Sequence, residues 1–286
     1  GLGDVYKRQE SMLEERITII TGAAGGIGSA AARLFAQQGA ILVLTDIRNK
    51  ELQEVTESLK ESGAEVLAVE HDIRDPESWE SLVEKVRGKY GRIDILINNA
   101  GVIQPGEAEK ISLDELHHQV SVNFLGTMNG CRAVLPTMKT QGSGKIINVA
   151  SLGGIVPMPG EAVYSATKFA IRGYSLSLHA ELHHSPVGIA VVCPDSVDTP
   201  QLDYELQYDE AVLSFIGDPL KPEKVAKGIR KAVRTKKAEV LVPSGMGIVC
   251  RLGMAFPRMY FFLLPLLERI GSSTIKKRRK KKKTEK

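Results

Sequence analysis

Residues 16–28 read RITIITGAAGGIG, a β-branched run up to Thr21 followed at once by a cluster of glycines. Beyond it Ile27, Ala31, Leu34 and Phe35 recur at helical spacing as far as Gly39, so the stretch predicts a strand, a tight loop and a helix. Glycine at 22, 26 and 28 lets the backbone approach a ligand closely. The start of the helix adds unpaired N–H groups and the positive end of its dipole. Together they suit a pyrophosphate. A tight strand-to-helix turn needs glycine on steric grounds as well, and it is the position after the first strand and before the first helix that points to a nucleotide.

The same unit repeats outward. A strand over 41–45 ends in Asp46 and is followed by a helix through Leu52, Val55 and Leu59 to Gly63. Further strands are predicted at 66–69, 93–97, 145–150, 188–193 and 239–242, with helices at 76–90, 113–138, 165–183 and 222–234 between or beside them. Strands alternating with helices across short loops require crossover connections, which produce a parallel sheet covered on both faces. The expected fold class is α/β, a doubly wound parallel sheet of the Rossmann type in a single domain with a C-terminal apolar extension.

A chain of 286 residues lies near the upper limit for one hydrophobic core, so one domain with appended ends is expected rather than two. That domain is placed at 10–245, with an apolar segment at 246–271 and a basic tail at 272–286. Asp4 to Gln9 (DVYKRQ) reads like a translated sequencing-library adapter, and 1–9 is therefore set apart from the fold. No secretory signal is expected, because no long apolar run precedes the first strand. Cys131, Cys193 and Cys250 lack CxxC or metal-ligand spacing and suit a reducing, cytoplasmic setting. The net charge of +4 hides an asymmetry, since 276–286 carries nine Lys or Arg and one Glu. The remainder is mildly acidic, so no nucleic-acid-binding surface is expected on the body. Between 195 and 222 periodicity fades and Pro, Gly and Asp accumulate, as in a mobile lid beyond the carboxyl edge of the sheet.

Asp46 stands about 20 residues beyond the glycines, where a carboxylate would accept hydrogen bonds from the adenosine ribose. Asp72, at the end of the third strand, is placed near the adenine edge, although a turn Asp reads the same way. NNAG at 98–101 offers small residues beside the cofactor and asparagines able to tie strand ends together. Ser151 closes the fifth strand, and Tyr164 and Lys168 follow at i and i+4 on one helix face. A phenol is a poor base near neutrality, and an adjacent ammonium favours the phenolate. Ser151 can share the charge developing on a reacting oxygen.

In combination these residues resemble the short-chain dehydrogenase/reductase family in its compact single-domain branch, over about 16–242. TGAAGGIG matches the family's TGxxxGxG, Asn98 to Gly101 its NNAG, and Tyr164 with Lys168 its YxxxK. The resemblance implies hydride transfer between an alcohol and its ketone or aldehyde, with Tyr164 as acid or base. It implies that Lys168 lowers the Tyr164 pKa and binds the nicotinamide ribose, that Ser151 positions the carbonyl, and that Asn123 holds a relay water. Cofactor contacts are expected from Gly22, Gly26, Ile27, Gly28, Asp46, Asp72, Asn98, Ala100, Gly101, Tyr164, Lys168, Val197 and Thr199. Pro194-Asp195 departs from the family's usual Pro-Gly, which touches the nicotinamide loop rather than the catalytic residues. Homodimers or homotetramers paired through the helices bearing Asn123 and Tyr164 are implied as well.

NAD is expected rather than NADP, because Asp46 would repel a 2′-phosphate; Arg48 is the nearby cation that opposes this. A metal is not expected. His179 and His183 have zinc-helix spacing, but no cysteine or carboxylate cluster completes a site. The apolar run at 247–267 is compatible with lipid-like, steroid or retinoid-type substrates. It contains Arg251, Arg258, Pro257 and Pro265, so a peripheral membrane contact is expected instead of a span. A dinucleotide-binding regulatory module without turnover is the alternative, disfavoured because it has no need of Asn123, Ser151, Tyr164 and Lys168 together.

Overall fold

The computed structural model describes residues 13–284. Seven parallel strands form one sheet in the order β3 (Val66–Glu70), β2 (Ile41–Asp46), β1 (Ile17–Thr21), β4 (Ile95–Asn98), β5 (Gly144–Val149), β6 (Val187–Pro194) and β7 (Glu239–Val242). β1 (Ile17–Thr21) is buried at all five positions, as a strand covered on both faces must be. It pairs with β2 (Ile41–Asp46) in register Ile17 to Ile41, and on its other side with β4 (Ile95–Asn98). α1 (Gly26–Ala36) and α2 (Asn49–Glu61) follow β1 and β2; α3 (Pro76–Tyr90) follows β3 (Val66–Glu70). The chain therefore winds outward to β3 and then returns past β1 to β4. The carboxyl ends of β1 and β4 diverge, and the crevice between them is where open α/β sheets take their ligands.

The core lies in two layers. Phe35, Leu44, Ile97, Ile147, Val192 and Ile229 pack on one face of the sheet, and Ile19, Trp79, Leu96, Val134, Ile146 and Ile189 on the other. The helix expected over 113–138 is interrupted: α4 (Leu113–Gln119) passes through a π-helical turn (Val120–Leu125) into α5 (Gly126–Thr140). Asn123 sits in that wide turn, a form that recurs at functional sites. α6 (Ala162–Glu181) starts three residues before the expected 165, which brings Tyr164 into its first turn. β5 (Gly144–Val149) and β6 (Val187–Pro194) flank it, and α8 (Pro222–Arg234) leads to β7 (Glu239–Val242).

The expected lid at 195–222 contains α7 (Pro200–Glu205) and a 3-10 turn (Val212–Phe215). The apolar segment forms α9 (Ser244–Ala255) and α10 (Pro257–Thr284), which break at Phe256. Pro257 opens α10 at a position where its missing N–H costs nothing, whereas Pro265, expected to interrupt the helix, lies inside it. One continuous helix thus crosses the expected boundary between 271 and 272. Among the described residues no helix is long and apolar enough to cross a membrane. The adapter-like 1–9 lies outside the described residues.

Candidate active site

Gly25 caps α1 with no side chain to offer, which leaves the first N–H groups of the helix free for a ligand. The glycines here answer to close packing. A Cβ on Gly28 would stand 2.2 Å from the Gly22 carbonyl oxygen, and one on Gly26 would stand 2.5 Å from Thr199 Cγ2. Thr199, expected at the nicotinamide, is therefore drawn against the glycine loop. Gly22 itself has φ +64 and abuts the Ala100 backbone, so the loop and the NNAG turn fit together only without side chains.

Ile27, Gly101, Ser151, Tyr164, Lys168, Val197 and Thr199 come together around one cavity of about 600 Å³. Its walls are otherwise largely apolar, with Met158, Leu202 and Leu213 from the lid side and Val249, Tyr260 and Leu263 from the C-terminal helices. The C-terminal apolar segment is thus partly a pocket wall. Tyr260 fixes it by donating to the Pro157 carbonyl at 2.6 Å.

The expected catalytic residues divide by position. Ser151 Oγ accepts the Gly153 N–H at 3.0 Å, which leaves its own O–H free to donate. The Tyr164 hydroxyl lies within hydrogen-bonding reach of Ser151 and Gln201. Lys168 Nζ stands 5.5 Å from the centre of the Tyr164 ring and donates to the Val149 carbonyl at 3.2 Å. Burial pulls the Lys168 pKa down to about 8, so its proton is held loosely near neutrality. The expected lowering of the Tyr164 pKa is not what this pocket produces. Desolvation, then the Glu205 and Glu161 carboxyls, raise it, and only the bonds to Ser151 and Gln201 oppose them. The phenol is held protonated.

Asn123 is buried and does not line the cavity. Its amide donates to Val102 O at 2.9 Å and to Thr167 Oγ1 at 3.0 Å, while Oδ1 accepts the Val102 N–H at 2.8 Å. The side chain therefore fastens the loop after β4 to α6. A Cβ on Gly101 would meet Asn123 Oδ1 at 3.3 Å and Lys168 Nζ at 3.4 Å, so both residues close around that glycine.

Of the expected cofactor residues, Gly22, Gly26, Gly28, Asp46, Asp72, Asn98 and Ala100 do not line this cavity. Asn98 is buried beneath the site, where it donates to Asn148 Oδ1 at 2.9 Å and ties β4 to β5. Its side-chain amide is thus spent within the sheet, while the neighbouring Asn99 lines the cavity. Asn99 also donates to the carbonyls of Thr21 and Gly22. Asp72 lies outside the cavity, forked by Arg74, whose guanidinium holds its carboxyl below the usual range. Asp46 ends β2 beside the glycine loop. Its carboxylate accepts the Ala24 N–H at 3.1 Å and the Arg48 N–H at 3.0 Å, and pairs with the Arg48 guanidinium. The departure at Asp195 needs no special backbone, since Glu15 alone among the described non-glycine residues has a positive φ.

Sequence reasoning missed Glu161, Gln201, Glu205 and Ser214, which gather at the cavity from the N-cap of α6, from α7 and from the 3-10 turn. Nothing in their spacing marks them. Among the described residues no three His, Cys, Asp or Glu groups gather as a metal site, and His179 is spent on the Ile189 carbonyl at 2.8 Å.

The sequence matches the short chain dehydrogenase family over residues 16–209. Oxidoreductase UcpA of Escherichia coli is 35% identical over 226 residues, covering 79% of this chain and 82% of that one. The crystal structure of a short-chain dehydrogenase/reductase from Burkholderia phymatum in complex with NAD superposes with a TM-score of 0.79 at 26% identity. It covers 87% of this chain and 96% of its own. Levodione reductase superposes with a TM-score of 0.77 at 26% identity, over 82% and 99% of the two chains. The uncapped start of α1, next to the cavity that Ile27 of its first turn and Thr199 both line, fits a nicotinamide dinucleotide.

Proposed function

The chain belongs to the short-chain dehydrogenase/reductase family and is an oxidoreductase, and on that premise we propose that it interconverts an apolar alcohol and its ketone or aldehyde. The observation that carries this reading is the meeting of Ser151, Tyr164 and Lys168 at one largely apolar cavity that also reaches Thr199 and the glycine loop. The bound dinucleotide supplies or accepts the hydride. Tyr164, held protonated, gives its proton to the carbonyl oxygen as that oxygen gains charge. Ser151 donates the second hydrogen bond to the same oxygen, because Gly153 engages its oxygen as an acceptor and leaves its O–H free. Lys168 then restores the proton, from an ammonium whose burial makes release easy near neutrality.

The family's cofactor is read here as NAD rather than NADP. Asp46 presents a carboxylate beside the loop, and Arg48, the one cation expected to oppose it, is occupied by that carboxylate. The apolar walls support substrates of lipid, steroid or retinoid type. A peripheral membrane contact is part of the reading, supported by the exposed Phe256 at the break before α10 and Phe261, Phe262, Leu266 and Ile270 within α10, whose last turns carry the basic run. So is a homodimer or homotetramer through α4, α5 and α6. Absorbance of NADH followed against a panel of apolar ketones and alcohols tests the central claim. No turnover with any of them, despite cofactor binding, returns the chain to a regulatory role.

A further inference from the structure

The largely apolar cavity holds one feature that hydride transfer does not require. Glu161 and Glu205, 2% and 5% exposed, stand at its wall with no cationic partner among the described residues. Ser214 joins them: its hydroxyl donates to Glu161 Oε1 at 3.0 Å and also reaches Glu205. Gln201 Nε2 donates to Glu205 Oε1 at 3.2 Å and lies beside the Tyr164 hydroxyl. A chain of polar groups thus runs from the reacting end of the cavity to Glu161. At its end Glu161 Oε2 is buried without a hydrogen-bond partner.

A buried carboxyl without a partner is destabilising, and two together more so. Burial raises the pKa of both groups here, and the Glu205 charge adds to the rise at Glu161. The pair therefore retains protons that exposed carboxyls would lose, and whatever enters the cavity meets hydrogen-bonding carboxyls, one oxygen of which has no partner, inside an apolar wall. Such a site rewards a donor and penalises a hydrocarbon.

We propose that Glu161 and Glu205 form a specificity subsite for a second hydrogen-bond donor on the substrate, a hydroxyl or an ammonium remote from the carbon that exchanges hydride. The inference rests on the reading of the cavity as the substrate site. It narrows the substrate class from apolar alcohols and ketones to apolar compounds carrying a second donor group.

Matched series of 1-alkanols, α,ω-alkanediols and α,ω-amino alcohols of four to ten carbons test this with the full chain. Binding to the protein–NADH complex is read by thermal shift, and oxidation is read separately with NAD. The expected result is a preference of about tenfold or more for one donor-bearing series over the alkanols, as for one hydrogen bond that satisfies a buried polar group otherwise left unpaired. Glu161→Leu should abolish the preference. Glu161→Gln and Glu205→Gln separate the two donors, since amides still accept from a hydroxyl but no longer attract an ammonium. NADH titration certifies that each variant is folded, and the Gln variants carry the test should the Leu variant not fold. Equal binding of all three series, or a preference unchanged in every folded variant, overturns the subsite. A binding preference without turnover overturns the dehydrogenase reading and leaves the subsite standing.

Discussion

Gly271 of α10 lies so close to the 3-10 turn that a Cβ on it would stand 2.0 Å from the Val212 carbonyl oxygen. The C-terminal helix is thereby laid directly on the lid. Ile275 is buried in the small cluster formed by Leu202, Leu206 and Phe215, and Arg279 donates to the Leu206 carbonyl at 2.7 Å and to Asp209 at 2.6 Å. Part of the basic run therefore holds the acidic lid instead of standing free in solvent. Gly271→Val should push α10 off the turn and loosen the substrate side of the cavity alone. The expected outcome is a raised KM for the ketone with an unchanged NADH dissociation constant, both from steady-state and fluorescence titration. A raised NADH dissociation constant would show that the strap serves the cofactor half instead.

Tyr164→Phe keeps the ring and removes the proton. Turnover should fall by about 10²–10⁴, the range for a lost general acid, with cofactor affinity little changed. Near-normal turnover in single-turnover measurements would remove Tyr164 from its role.

Cofactor choice should follow the Asp46–Arg48 pair. The unaltered chain is expected to bind NADH more tightly than NADPH. Asp46→Ala removes the ribose acceptor and releases Arg48, which should shift the ratio of dissociation constants toward NADPH by roughly tenfold or more, given the strength of a guanidinium–phosphate pair. An unchanged ratio would place the discrimination elsewhere.

The raised Glu161 carboxyl makes a prediction for stability. Its folded pKa lies above the unfolded value of about 4.5, so the folded state binds more protons once pH exceeds 4.5, and stability falls as pH rises from there through the folded pKa. Glu161→Gln removes that dependence. Differential scanning fluorimetry should find the variant melting at or below the parent at pH 4.5 and above it at pH 8, with ~2–4 °C for each kcal/mol recovered. A difference that does not change between the two pH values would deny the burial cost.

The membrane reading is tested by co-sedimentation with anionic liposomes. Binding at low salt that weakens at high salt is expected, since each basic residue near an anionic surface contributes roughly 1 kcal/mol. Protein that stays in the supernatant at low salt assigns the outer apolar residues of α9 and α10 to another role.

The α/β alternation was legible residue by residue because the parallel sheet is built from local units. Each strand in Val, Ile and Leu, each following helix and the turn between them are set by neighbours a few positions away. The helices Pro76–Tyr90 and Pro222–Arg234 match their expected limits, since a proline opens each and fixes its start. The TGxxxGxG, NNAG and YxxxK signals were legible for the same reason. The uses of Asn98 and Asn123 were not, because their partners Asn148 and Thr167 lie 50 and 44 positions away and only the folded sheet brings them near. Nor could spacing reveal the Glu161–Ser214 contact, which joins residues 53 apart across a lid of weak periodicity. The direction of the Tyr164 shift was equally hidden. A motif places a lysine one helical turn away, but how much water the phenol loses and which carboxyls surround it depend on how the lid and the C-terminal helices close the cavity. Local sequence determined the scaffold and the reacting groups; long-range packing decided their electrostatic surroundings, because desolvation is a property of the enclosing volume and not of any one segment.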